Sequence, residues 1–273
     1  KKFKELNSPN TINEIKDKKV LIWDEQGLGD TLQFSRFVID LKKYTKQITF
    51  VVNEKLKKIL CNLDKNISVL DYNEVEELNF DYQIPLCSLP KYLNILKKEE
   101  FNFYKLELLN KNKKFKIEKT KKFNIGISWS GNPSYPMDKY RSIPFKKFKE
   151  LLKFDDINFY KLSKNIKEDE FIDYNSYKNL FDLGNKTLFE LAGILYDLDL
   201  VISSDTSIIH LAGILEIKSI LLLSFNADWR WFSDKKDTIW YPSVEIIRQE
   251  EFNSWDYVFQ ELLKKLQKKR AVI

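Results

Sequence analysis

The sequence predicts an α/β protein made of two Rossmann-like halves, each a parallel sheet, facing a cleft. Three observations carry that expectation. Short apolar runs bounded by polar turns alternate with stretches of helical periodicity, the pattern of parallel sheets covered on both faces. The alternation lapses over a Lys-, Asn- and Glu-rich stretch from Leu96 to Lys122 and then starts afresh. Each half opens with a strand that runs into a glycine-containing polar turn, Asp24 to Asp30 and Trp129 to Pro133. The carboxyl ends of such strands are where open α/β sheets hold ligands. The halves are therefore drawn at residues 1–120 and 121–273.

Residues 1–18 are polar and read as a lead-in. Lys19–Trp23 is a short apolar strand. From Thr31 to about Lys43 a helix is expected, because Leu32, Phe34, Phe37, Val38 and Leu41 fall on one helical stripe. Ile48–Val52 is the next strand, Lys55–Leu63 a helix, and Ser68–Asp71 and Asp81–Leu86 are strands. In the second half Phe123–Ser128 is a strand, Pro144–Leu152 a helix with proline in its first turn, and Ile157–Leu162 a strand. Thr187–Asp197 is a helix, Leu200–Ile202 a buried strand, and Ser203 to Ser207 a polar turn. A helix then carries on through Ile208, Leu211 and Ala212. Lys218–Leu223 and Val244–Ile247 are strands, and Trp255–Lys269 is an amphipathic closing helix. No short internal repeat or solenoid period is present.

With 273 residues the chain suits one large domain or two small ones, and either buries a proper core. A net charge of +6 invites a nucleic-acid or membrane partner, but the lysines are spread along the whole chain, whereas a binding stripe is clustered. The arginines are few: Arg36, Arg141, Arg230, Arg248 and Arg270. In a chain that uses lysine by default, an arginine hints at work for a planar fork, such as bidentate phosphate contact or stacking. The two cysteines, Cys61 and Cys87, have no CxxC spacing, and with a single histidine they argue against a zinc site and for a reduced, cytoplasmic protein. No apolar run approaches the roughly 18–20 residues that span a bilayer, and the Lys-rich start has no signal-peptide core. A start without Met fits a piece of a longer protein.

The stretch from Leu200 to Gly213 concentrates the candidate chemistry. It reads as strand, polar turn and helix, with Asp205, Thr206 and Ser207 where the helix begins. The first N–H groups of a helix lack intrahelical partners and carry the positive end of the dipole, so an anion is welcome there. The same residues equally make a well-capped helix, and both readings stand at this level. His210, the lone histidine, lies one turn inside, facing the phosphate position or packing inward. Gly27-Leu28-Gly29-Asp30 starts like a dinucleotide fingerprint, with Glu54 after the next strand as its acid, but Leu32 replaces the third glycine. The turn alternatively lets backbone approach a ligand closely while presenting Asp30, as a general base or as a plain N-cap. In the second half Trp129, Ser130, Gly131 and Asn132 leave a strand, and Arg141 follows in a turn-rich loop, where it is placed for a phosphate or for solvent. The Asn226–Phe232 and Trp240–Pro242 loops hold three of the six tryptophans. Trp129, Trp229 and Trp231 are candidates to stack on a base or sugar, although such rings also pin loops to a domain. With no G-x-S-x-G elbow, a Ser-His-Asp hydrolase is a poor fit.

Taken as an ordered set, these motifs resemble glycosyltransferase family 9, the heptosyltransferase-like enzymes. Within it they are most like the C-terminal glycosyltransferase domain of bacterial tetratricopeptide-repeat proteins. The likeness rests on Asp24-Glu25-Gln26-Gly27-Leu28-Gly29-Asp30-Thr31-Leu32-Gln33-Phe34, Trp129-Ser130-Gly131-Asn132-Pro133, Arg141-Ser142-Ile143-Pro144, Asp199 to Thr206 with His210-Leu211-Ala212-Gly213, Asp228-Trp229-Arg230-Trp231 and Trp240-Tyr241-Pro242. It implies a GT-B fold, with an acceptor-side first half and a second half that holds a nucleotide-sugar donor. It implies metal-independent, inverting transfer of the sugar to an acceptor hydroxyl, without a cofactor. Asp30 would match the proposed base, and Gly29 of the same loop would be among the donor- and phosphate-binding residues. Arg141 would lie near the donor phosphate with Ser130 and Asn132, and Asp205, Thr206, Ser207 and His210 in the diphosphate motif. Ser207 stands where heptosyltransferases commonly have Gly, and Ile143 replaces the Trp before Pro144, so the sugar and acceptor do not carry over. The acceptor class is a glycan, a lipid-linked molecule or a protein, with tetratricopeptide repeats in the same full-length chain as partners. Nucleic acid is not expected. The competing functions are a nucleotide- or partner-binding module without turnover and an NAD(P)-dependent oxidoreductase using Gly27 and Gly29.

Overall fold

The computed structural model describes residue 3 and residues 5–75, 79–95, 102–108, 115–118, 121–164, 176–232 and 236–270. Within the expected connection from Leu96 to Lys122, residues 96–101, 109–114 and 119–120 lie outside the described residues. The chain divides into two compact units, Lys1–Asn112 with Thr187–Phe189, and Lys113–Lys186 with Glu190–Ile273.

The elements of the first unit are β1 (Lys19–Trp23), α1 (Leu28–Phe34), α2 (Arg36–Asp40), β2 (Gln47–Val52), α3 (Glu54–Leu60), β3 (Ile67–Asp71), β4 (Tyr82–Pro85) and α4 (Leu89–Tyr92). The strands form one sheet in the order β3-β2-β1-β4, and every pairing is parallel. Val20, Leu21 and Ile22 of the inner strand are fully buried, which explains its unbroken apolar run. The helix expected over Thr31–Lys43 is divided. It begins earlier, at Leu28, because extended Gly27 takes the N-cap place and Asp30 Oδ2 accepts the Gly27 N–H at 2.9 Å. It breaks at Ser35, whose hydroxyl donates to the Leu32 carbonyl at 2.9 Å while its own carbonyl takes the N–H of Val38. Side-chain back-bonding of this kind competes with the regular ladder.

The second unit continues with β5 (Phe123–Ser128), α5 (Asp138–Arg141), β6 (Ile157–Lys161), β7 (Leu180–Asp182), α6 (Leu188–Leu195), β8 (Leu200–Ser204), α7 (Ser207–Ile214), β9 (Ser219–Leu223), β10 (Val244–Arg248) and α8 (Asp256–Arg270). The sheet order is β10-β9-β8-β5-β6-β7, again all parallel. Strand β7 has three residues and sits at the sheet edge with Phe181 and Asp182 exposed, too short and too open for a periodic signal. The expected helix over Pro144–Leu152 is a 3₁₀ helix, Phe145–Lys153, and Pro144 is its N-cap. Phe145, Phe148 and Leu151 recur every third residue, and all are buried. In a 3₁₀ helix residues three apart eclipse one another, so these three side chains stand in one row. These side chains meet Trp129, Phe159, Phe259 and Leu262 in the core between sheet and helices.

Candidate functional site

Both sheets reverse their winding once. In the first, the chain runs outward through β1, β2 and β3 and then crosses to β4 on the other side of β1. In the second, it runs through β5, β6 and β7 and returns to β8, beside β5. A crevice opens at the carboxyl end of a parallel sheet where neighbouring strands lead their connections to opposite faces. The glycine loop leaves β1 at the first such point. At the second, Ser128 and Ser203 are register partners on the last rungs of β5 and β8.

In the first unit the loop is held by Asp24. Its Oδ2 accepts the backbone N–H of Asn53 at 2.8 Å and the Thr31 hydroxyl at 3.4 Å, and its Oδ1 accepts a short hydrogen bond from Tyr72. Burial and the Asp24 carboxylate push the Tyr72 hydroxyl well above the usual phenol range. Next to it, Glu25 Oε1 accepts the N–H of Cys87 at 3.0 Å. The ends of all four strands are thus tied to Asp24 and Glu25. Asp30 is not the N-cap that the sequence allowed. It is the third residue of α1, folded back on Gly27, with Gly29 in the same first turn.

In the second unit hydroxyls gather beneath the start of α7. The Ser163 hydroxyl donates to Ser128 Oγ at 3.2 Å, Ser128 Oγ lies 3.4 Å from Thr206 Oγ1, and Thr206 Oγ1 lies 3.2 Å from Ser203 Oγ. Thr206 is the N-cap and accepts the Ile208 N–H at 3.4 Å. Serines 203 and 204 are strand residues, so the turn is shorter than the sequence indicated, and Ser207 is the first helical residue. Side chains in a helix lean toward its N-terminus, which carries the His210 ring back to Asp205, with Nε2 3.6 Å from Asp205 Oδ1. The other ring nitrogen, Nδ1, is 2.9 Å from the Tyr241 hydroxyl. Asp228 and Arg230 pair across the same loop at 2.7 and 3.0 Å. Burial raises the Asp228 carboxyl, with the Asp205 charge adding to it, and burial lowers the Arg230 guanidinium. Sequence reasoning left Tyr241, Asp228, Ser128 and Ser163 without a site role. Ser128 ends β5 and Ser163 follows β6, a signal visible once the strands are placed, whereas Tyr241 precedes β10 and Asp228 lies in the loop after β9 with no such mark.

The other predicted residues divide. Arg141 lies against the Gly131 backbone, where a Cβ would come within 2.5 Å of its guanidinium. Its Nε donates to Asp138 Oδ1 at 3.0 Å, and its guanidinium sits 4.7 Å over the Tyr135 ring. Ser130 is buried on the same loop, and Asn132 is exposed, accepting the Ser134 N–H at 3.1 Å to shape the turn. Two tryptophans correct the sequence expectation. Trp129, 0% exposed, is packed between Phe145 and Phe148 at 5.1 and 5.6 Å, so it is core and has no face for a ligand. Trp231, 1% exposed, backs the His210 ring at 5.4 Å instead of offering itself to a base. Trp229, at 71% exposure, keeps an open face.

No protein-family model matches the sequence, and no curated protein does. Solved structures do match. E. coli heptosyltransferase WaaC with ADP aligns with TM-score 0.62 and 12% identity, over 92% of this chain and 99% of that one. The fold is GT-B-like. The glycosyl transferase family 9 protein of Veillonella parvula aligns at TM-score 0.58 and 11% identity, over 93% of both chains. The iron-containing dodecameric glycosyltransferase TibC of enterotoxigenic E. coli aligns at 0.61 and 12% identity, over 88% of this chain; the chain spans 65% of TibC. Among the described residues, no group of three or more His, Cys, Asp or Glu side chains is arranged to hold a metal ion. No helix among them is long and apolar enough to cross a membrane.

Proposed function

We propose that the chain is a glycosyltransferase that moves a sugar from a nucleoside-diphosphate donor to an acceptor hydroxyl, with an acceptor-side half up to about residue 120 and a donor half after it. The observation that carries the reading is the second unit's switch point. There the eight-residue helix Ser207–Ile214, capped by Thr206, stands over a cluster of hydroxyls, in a fold shared with WaaC, whose structure holds ADP, and TibC, whose structure holds ADP-D-beta-D-heptose.

In this reading Asp30 takes the proton of the acceptor hydroxyl, whose oxygen attacks the anomeric carbon from the face opposite the leaving group. The bond from that carbon to the diphosphate oxygen breaks, and its electron pair leaves with the diphosphate. The product is inverted. In this reading the growing negative charge meets the positive end of the α7 dipole and the Arg141 guanidinium, and the step needs no metal ion or cofactor. Ser130, Asn132, Asp205, Ser207 and His210 line the donor side, and Trp229 offers its exposed face to the base or sugar. The acceptor is a glycan, lipid-linked molecule or protein presented in the cytoplasm, with tetratricopeptide repeats of the same full-length chain as its carrier.

Binding without turnover is the second reading, favoured by the engagement of Asp30 Oδ2 as the cap of Gly27. Calorimetry with a panel of nucleotide sugars, followed by assay of released nucleoside diphosphate, separates the two. Turnover is expected in the wild type, falling about 10²–10⁴-fold in Asp30→Asn with donor affinity kept. Binding with no release of diphosphate under any condition establishes the module instead.

A further inference from the structure

The sole histidine sits between partners that define its protonated nitrogen. His210 is 4% exposed, wedged against Trp231 at 5.4 Å and the edge of Tyr241 at 5.8 Å. Its Nε2 faces Asp205 at 3.6 Å. A carboxylate only accepts, so Nε2 gains from that neighbour when it carries the proton. A neutral imidazole with Nε2–H has a bare Nδ1 that needs a donor, and the Tyr241 hydroxyl lies at 2.9 Å from it.

The Tyr241 ring has little freedom. It is fully buried and packs on the Gly213 backbone, where a Cβ would come within 2.4 Å of the ring. The loop opposite is pinned as well, because Trp240 Nε1 donates to the Arg230 carbonyl at 2.7 Å and Arg248 donates to the Trp231 carbonyl at 2.9 Å. The charged groups around the ring are Asp205 on its own connection and Asp228 with its partner Arg230 on the facing loop.

We propose that Tyr241 is a positioning residue that donates to Nδ1 and so holds neutral His210 in the Nε2–H tautomer. The imidazole then turns a hydrogen-bond donor toward Asp205 and toward an anionic oxygen at the start of α7. Which ring nitrogen holds the proton is set by the bond the other nitrogen makes, and here that bond comes from an element 31 residues away. The ligand half of the inference rests on the proposed donor site; the tautomer half does not.

With one histidine in the chain, the ¹⁵N–¹H correlation spectrum of the imidazole reads the tautomer directly in uniformly labelled protein. Recorded through a pH series, the neutral form is expected to show a bare Nδ1 and a protonated Nε2. Tyr241→Phe keeps the ring on Gly213 and removes the hydroxyl; its spectrum is expected to become a mixture of tautomers. Its affinity for ADP is expected to fall roughly tenfold, the scale of one buried hydrogen bond. A wild type with Nδ1–H, an imidazolium at every pH where the protein is folded, or a Tyr241→Phe spectrum identical to wild type overturns the proposal. The expected tautomer in a protein that binds no ADP supports the role of Tyr241 and overturns its ligand half together with the ADP form of the donor site.

Discussion

The hydroxyls of Ser128 and Thr206 lie 3.4 Å apart although 78 positions separate them in the chain. The contact joins the last residue of β5 to the N-cap of α7 at the point where the sheet reverses. It makes Thr206 both a cap and the floor of the proposed diphosphate site.

Thr206→Ala is therefore expected to act on two observables. Loss of the cap destabilises the fold by about 1 kcal/mol, read as a lower urea midpoint with an unchanged slope. Affinity for ADP falls at the same time, whereas Thr206→Ser, which keeps an acceptor for the Ile208 N–H, stays near wild type in both. Wild-type ADP affinity in Thr206→Ala would remove Thr206 from the site.

The tryptophans give a contrast inside one residue type. Trp129→Ala empties a site between Phe145 and Phe148 and is expected to cost about 3–5 kcal/mol, visible as a large drop in thermal midpoint. Trp229→Ala alters an exposed ring and leaves stability within about 0.5 kcal/mol. If the open face of Trp229 stacks on the ligand, that variant weakens nucleotide binding by about threefold to tenfold, measured by calorimetry.

Gly213→Ala opposes two effects of known size. Helix propensity favours alanine by about 0.8–1.0 kcal/mol. The added Cβ, however, would lie 2.4 Å from the Tyr241 ring, and overpacking of this kind costs about 1–3 kcal/mol. A net loss of stability is expected in denaturant titration. Tyr241→Ala in the same chain should relieve the clash, giving a non-additive double-mutant cycle.

The two cysteines should differ in reactivity. Cys61 is exposed, while burial, with the Glu25 and Asp24 charges, pushes the Cys87 thiol up to about 12 from an ordinary 9.0. Since the thiolate is the reactive form, iodoacetamide near pH 8 is expected to label Cys61 and spare Cys87, as mapped by peptide mass. The unfolded chain loses the Cys87 proton first. Its contribution to stability is thus complete below about pH 9 and drains away as the pH climbs to about 12; Cys87→Ala should flatten that part of the pH profile.

Much of the fold was legible before any coordinates. Buried parallel strands such as the one begun by Leu200–Ile202 are apolar on both faces, and Gly, Ser, Thr and Asp at their ends mark turns by local rules. The turns near Asp30, Arg141 and Thr206 follow those rules, although Asp30 and Arg141 themselves lie in α1 and α5. Errors arose where a neighbour overrode the local signal. Ser35 bonds to its own preceding turn and splits the first helix, and the expected Pro144 helix is a 3₁₀ helix. Edge strand β7 carries no pattern to read.

Apart from edge strand β7, the sequence alone determined the succession of strands and the residue types at their junctions, because periodicity and turn chemistry act over a few neighbouring positions. Only the tertiary structure decided that Trp129 and Trp231 are packing residues, that Trp229 stays open, and that Tyr241 meets His210. Each of those outcomes depends on which distant side chain occupies the adjoining space, and strand register and close packing set that across separations no local pattern encodes.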